Sequence, residues 1–329
     1  MGRVEVLNLD QVGYGIDGTM TRKEWRDLCL EKIYSGASEF NRWQNELNNL
    51  SVQNTGEKYN GFHFQLDVTK ESLKFHWPIT SLPFIVDLSG RVFSERLRFD
   101  GYAFLTGALF AGTVFEKFVS FRHASFQNDA NFIAVNFYHK CSFSKTVFAK
   151  ETIFDLSTFH KSAMFFEADF RDDATFIDAE FFDITDFSES VINRITFDNA
   201  RFHKFISFSG SSSNDHDRLQ AFGEISFCGT QFNDSVDFGN RDFRGSTDFG
   251  EYDGKPTRFQ KAPLFHNCKL HQDTSFDGAE FAEPTRNNKS AALAYNTLRH
   301  AMADQQNTRE EQRFLKLQFD AERATAKKG

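Results

Sequence analysis

The chain has 329 residues, a formal net charge of −8, and 42 phenylalanines beside only three tryptophans. Such an acidic balance argues against a nucleic-acid-binding protein, which carries a basic footprint. No secretory signal opens the chain, and no run of about 18 apolar residues offers a membrane span, so the expectation is a soluble, cytoplasmic protein.

Residues 1–18 show only a brief alternation (Val4, Val6, Asn8) that suggests a short strand at best. Thr21 followed by Glu24 is a capping-box pattern. It predicts a helix to about Tyr34 with Trp25, Leu28, Cys29 and Ile33 on one face. Gly36 breaks it, and a second helix from about Ser38 to Leu50 carries Phe40, Trp43 and Leu47. A polar connector follows over 51–81, with the alternating Phe62, Phe64, Leu66 and Val68 as a lead-in strand.

From Leu88 to Phe187 a large apolar residue returns at alternating spacings of five and six: Leu88, Phe93, Phe99, Phe104, Phe110, Phe115, Phe121, and so on. Two places before most of them stands a small residue, such as Ala124, Ala130, Cys141, Ala163 or Ala168. Steps of five and six scatter side chains around an α-helix, which places 3.6 residues in a turn. An odd step puts successive rings on opposite faces of a flat strand. A chain that turns a corner after every unit and winds into a solenoid satisfies both spacings. The rhythm slips after Phe187 to Ile192, Phe197 and Phe202, then loops at Ser209–Asp217 and again over Gly250–Thr257. Leu88 to Phe281 makes about nine coils, a rod of about 43 Å at the usual strand spacing. Cys141 and Cys268 take the small inward position, where a thiol packs as an apolar group. Cys29 and Cys228 lie far from them and from each other, with no CxxC or metal spacing.

The units Ala168-Asp169-Phe170-Arg171-Asp172, Ala179-Glu180-Phe181-Phe182-Asp183 and Ala200-Arg201-Phe202-His203-Lys204 resemble pentapeptide repeats, whose consensus is Ala-Asp/Asn-Leu/Phe-x-x. The resemblance covers roughly residues 82 to 281, and the extra residue in alternate units is similar to the Phe-rich branch of that family. It implies an all-β solenoid, a right-handed quadrilateral β-helix with short α-helical segments at the N- and C-termini. Gly36 to Trp43 is similar to the Gly-x-x-x-Trp-Asn-x-Trp-Arg lead-in of such proteins, with Phe40 in place of the first Trp. The expected organisation is a helical cap and lead-in over 1–81, the β-helix over 82–283, and a helical hairpin over 284–329. In that hairpin Leu293, Leu298 and Met302 are expected to line the first helix, and Phe314, Leu317 and Phe319 the second. Tyr295 to Arg299 with Glu311 to Phe314 resembles the helical tail that follows such coils, which sometimes leads on to a membrane anchor.

No HExxH, P-loop, GxGxxG or nucleophile elbow is present, so neither enzymatic activity nor a cofactor nor a metal is expected. His123, His139, His160 and His203 fall at outward or corner positions and read as ordinary surface residues. Residues 155–189 hold ten acids against two bases, Lys161 and Arg171. If outward positions stack turn upon turn, Asp169, Asp172, Asp173, Asp178, Glu180, Asp183 and Asp186 form a negative band able to draw a basic partner. Two functions follow. One is a rigid scaffold that docks a protein partner of unknown identity, with a homodimer through the terminal helices as an option. The other, implied by the resemblance, is a DNA mimic that binds DNA gyrase, as quinolone-protecting pentapeptide proteins do. The six-residue units, the N-terminal helices and a tail with six acids and nine bases from residue 282 favour the first.

Overall fold

The structure, a computed structural model, describes residues 20–55, 63–67, 72–76, 85–211, 221–282 and 288–326. Expectations for residues 1–18, for the domain boundaries at 82 and 284, and for the loop after Ser211 lie outside them. Thr21 caps helix α1 (Arg22–Tyr34), accepting from the Glu24 amide while the Glu24 carboxylate accepts from the Thr21 amide. After Gly36, at φ +92, helix α2 runs from Ala37 to Thr55, beyond the expected end at Leu50. Ser51 to Thr55 contain no helix breaker, and the first glycine is Gly56. The lead-in strand is His63–Asp67, paired antiparallel with Ser72–His76.

From Val86 to Phe281 the chain is a four-sided parallel solenoid. Each turn places one two-residue strand on each side, and each strand pairs with its equivalents one turn before and after. On one side Asn136–Phe137 lies between Val114–Phe115 and Thr158–Phe159 in a nine-stranded sheet. The next side carries a seven-stranded sheet from Leu97–Arg98 to Val236–Asp237. A twelve-stranded sheet covers the third side (Ser125–Phe126 and equivalents) and the fourth (Ala130–Asn131 and equivalents). Those two sides join where Asp169–Thr175, Val191–Thr196 and Ala221–Ser226 run through their shared corner. Nine strands on the longest sheet bracket eight turns, so the rod is about 38 Å long. The expected nine coils overcount because the ladder starts and stops part-way round a turn.

The alternation of five and six reflects two kinds of corner. Every five-residue step from Leu88 to Phe187 contains one residue at positive φ, first Gly90, Gly101 and Gly112, then His123, Ala134, Lys145, Leu156, Glu167 and Asp178. The residue sits in a tight turn, as where the Ala124 amide bonds Phe121 O at 3.0 Å. Gly107 apart, the six-residue steps in that stretch turn without one. The left-handed conformation costs a non-glycine residue about 1–2 kcal/mol. Bonds between turns hold it in place: the Lys145 amide reaches Phe166 O at 2.9 Å and the Glu167 amide Ser188 O at 3.0 Å.

Inside, the rings form columns. Phe121, Phe143, Phe165 and Phe187 stack at 4.8, 5.0 and 4.4 Å. Between columns the rings meet edge to face, as Phe154 and Phe165 do at 5.7 Å and 89°. Both geometries suit the aromatic quadrupole, and Ala124, Ala163, Ala168 and Cys141 fill the corners between rings. Where the rhythm slips, Arg241 occupies an inward small-residue position and is 1% exposed. It donates to the carbonyls of Phe208 (2.6 Å), Ser190 (2.9 Å) and Phe187 (3.3 Å) and lies 4.1 Å from the Phe222 ring centre. Burial lowers its pKa to about 9, so it stays charged at neutral pH.

Both ends are closed. Trp25 donates to Ile85 O (2.6 Å), Arg22 ion-pairs with Asp87 (2.8 Å), and Phe40 covers Phe104 at 5.1 Å. Asn41 Oδ1 accepts from the Ala103 amide (2.7 Å) and Gln44 Oε1 from the amides of Leu105 (2.9 Å) and Thr106 (3.3 Å). These amides belong to the first turn, where a strand edge would otherwise template association. At the other end lie α3 (Lys289–Asp304) and α4 (Thr308–Ala326). Phe314 meets Phe276 and Phe281 edge-on at 5.3 and 5.4 Å, and Arg313 bonds the carbonyls of Phe276 and Ala279. Tyr295, Leu298 and Met302 are buried beneath. Leu293 and Phe319, expected to line the hairpin, point outward at 67% and 46% exposure. Each stands five residues from the buried stripe position, Leu298 or Phe314, and five residues is 140° off a whole number of helical turns.

Candidate interaction surface

A filled interior and closed ends leave the lateral surface as the place for function. The acidic residues Asp169 to Asp186 encircle the rod. Asp169 lies on the third side, Asp172 and Asp173 at the corner where the third and fourth sides join, and Asp178 at the next corner. Glu180 is on the nine-stranded side, Asp183 at its far corner and Asp186 on the seven-stranded side. The expected band along the rod is therefore a belt around it. Four of the seven acids are ion-paired: Asp169 with Arg171 (2.7 Å), Asp172 with Lys150 (3.7 Å), Asp173 with Arg194 (3.1 Å) and Glu180 with Arg201 (3.2 Å). Asp178 accepts a hydrogen bond from Asn199, and Asp186 one from the Ser188 amide at 2.8 Å. Three of the four cations stand one turn away in the chain, outside the acidic window. A period of 21 or 22 residues sets them directly above or below their partners.

Two carboxylates are drawn into the wall. Burial pushes Asp155 up to about 6, and its Oδ1 accepts from the Ile177 amide of the next turn at 2.9 Å. Burial likewise raises Asp198, which takes hydrogen bonds from Ser226 and from the Cys228 amide. Both act as turn-to-turn fasteners. The four cysteines are free. Burial raises the thiols of Cys29 and Cys141 and brings Cys228 to about 11 and Cys268 to about 12, which keeps them as inert thiols at neutral pH.

The corner between the nine- and seven-stranded sides differs from the rest. Here the residue after each inward Phe is Tyr138, His160, Phe182 and His203 on successive turns. Their rings stack outside the wall at 4.5, 5.5 and 4.6 Å, within 6° of parallel. Tyr138 and Phe182 are 51% and 39% exposed, and Ile184 and Phe205 beside them 48% and 36%. Lys117, Lys140, Lys161 and Lys204 are exposed on the same corner. None of them ion-pairs among the described residues, while Lys145, Lys150, Arg194 and Arg201 on the rest of the wall do. Reading the histidines as isolated surface residues missed this ladder. Its signal was the recurrence of rings at 138, 160, 182 and 203, the period of the inner Phe columns.

Among the described residues no cluster of three or more His, Cys, Asp or Glu could hold a metal ion, and no helix is long and apolar enough to cross a membrane. Compared with protein-family models, curated proteins and solved structures, the chain gives no match.

Proposed function

We propose that this chain is a non-enzymatic interaction module of the pentapeptide-repeat type, a rigid capped rod whose lateral wall docks a protein partner. The observation that carries this reading is the exposed aromatic and aliphatic ladder on a wall whose interior and ends are otherwise sealed. Contiguous apolar exposure on a well-packed protein marks a contact surface. Consecutive turns bonded to one another along the whole rod supply the rigidity. A DNA mimic needs unneutralised charge running along its axis, whereas the acids here circle the rod and four of seven meet cations.

The test is site-specific photo-crosslinking of the full chain in cell lysate, with the reactive residue placed in turn at Lys145, Asp178, Phe182 or Asn193, one for each corner. The module reading expects a discrete adduct from at least one corner that excess unmodified protein competes away. No competed adduct from any corner overturns it. So does inhibition of gyrase supercoiling by the parent protein at micromolar concentration, which would restore the mimic.

A further inference from the structure

We infer that the corner carrying Tyr138, His160, Phe182, Ile184 and Phe205 is the docking site for an extended acidic peptide segment of a partner protein, an inference that rests on the interaction-module reading above. Two independent observations meet there: exposed apolar side chains at 36–51% and four exposed lysines without an ion pair among the described residues. In a chain with 46 acids and 38 lysines and arginines, a run of lysines left without counterions is a local departure from the charge pairing of the wall. Charges held ready for a partner set encounter rate and orientation, while apolar groups beside them supply contact area.

The dimensions specify the occupant. Lys117 and Lys204 stand four turns apart, about 19 Å at the parallel strand spacing. An extended peptide covers that distance with about six residues. Its carboxylates would meet Lys140, Lys161 and Lys204, and its apolar side chains Phe182, Ile184 and Phe205. The strands beneath are paired with their neighbours on both sides, so the peptide binds through side chains and not by adding a strand. A nucleic acid fits less well. Asp183 sits within the corner, Glu180 and Asp186 flank it, and the chain is at −8 overall, so a long polyanion running past the corner is repelled. A short peptide places its carboxylates only where the lysines are.

Fluorescence anisotropy with the full chain tests this. The probe is a fluorescein-labelled peptide of about eight residues that alternates Glu with Tyr or Leu, matched to the span of the corner. Binding is expected to weaken at least about tenfold when Lys140, Lys161 and Lys204 are changed together to Ser, and again when Phe182, Ile184 and Phe205 are. Changing Lys145 and Lys150 to Ser is expected to leave it intact, and added salt to weaken it in the parent. Parent-like binding by the Lys140→Ser, Lys161→Ser, Lys204→Ser variant overturns the inference. Displacement of the peptide by labelled single-stranded DNA of equal charge does so too. If the peptide fails to bind while crosslinking from another corner still captures a partner, this assignment is wrong and the module stands. If no corner captures a partner, the module itself falls.

Discussion

Phe165→Ala is the sharpest test of the ladder, because the surroundings of this ring are complete. Phe143 and Phe187 stack on its two faces at 5.0 and 4.4 Å. Phe154 and Phe176 meet it edge-on at 5.7 and 5.6 Å, and Phe159 and Phe170 stand at 6.2 and 6.3 Å. Removing a buried Phe costs about 3–5 kcal/mol in transfer and cavity terms. The upper end is expected here, since each aromatic pair adds about 0.5–1.5 kcal/mol beyond area. The neighbours also cannot move in to fill the space: the amides of Phe143, Phe165 and Phe187 are bonded to the next turn at 2.7, 2.6 and 2.7 Å. Phe165→Leu keeps most of the volume and loses the ring geometry, for about 1–2 kcal/mol. Glu167→Ala, two residues on, removes only an exposed ion pair with Lys145 (3.2 Å) and leaves the left-handed backbone as strained as before, for about 0.5 kcal/mol. Urea unfolding followed by circular dichroism gives midpoint and slope for each variant. Equal midpoint shifts for Phe165→Ala and Glu167→Ala would refute the inward stack.

The remaining predictions concern the wall and the ends. With the Asp155 pKa raised by burial to about 6, the folded chain between pH 4 and 6 holds a proton that the unfolded chain has lost, so stability falls as pH rises through that window and stays lower above it. Asp155→Asn keeps an acceptor for the Ile177 amide and should raise the urea midpoint at pH 7.5 by the equivalent of about 1–3 kcal/mol, with no gain at pH 4; a parent-like midpoint at pH 7.5 would count against the buried carboxylate. Deleting residues 285–329 uncovers Phe276, Phe281 and the last strand edge, and should turn a defined particle into polydisperse aggregate that keeps a β-type spectrum. Light scattering after chromatography decides it, and a truncated chain of unchanged monodispersity would show that α3 and α4 do not act as a cap.

Local order in the chain was enough to determine the solenoid. A ring that returns every five or six residues must face inward on successive sides, and the alternation of tight and wide corners was already written in that count. Thr21, Glu24 and Gly36 marked the helices for the same reason, since caps and breakers act on neighbours along the chain. The outer surface was decided by register between turns. Arg194 neutralises Asp173 and Arg201 neutralises Glu180 only because 21 residues make one turn there, and a count of charges along residues 155–189 could not see them. The register itself changes: His203 faces Asn233 thirty residues on, across the loop after Ser211, where earlier turns repeat at 22. Arg241 in the core and Leu293 on the outside of α3 were hidden in the same way. Inward positions are set by apolar character and local alternation. What an outward side chain touches depends on the pitch of the rod, a non-local quantity that exists only once the turns are stacked.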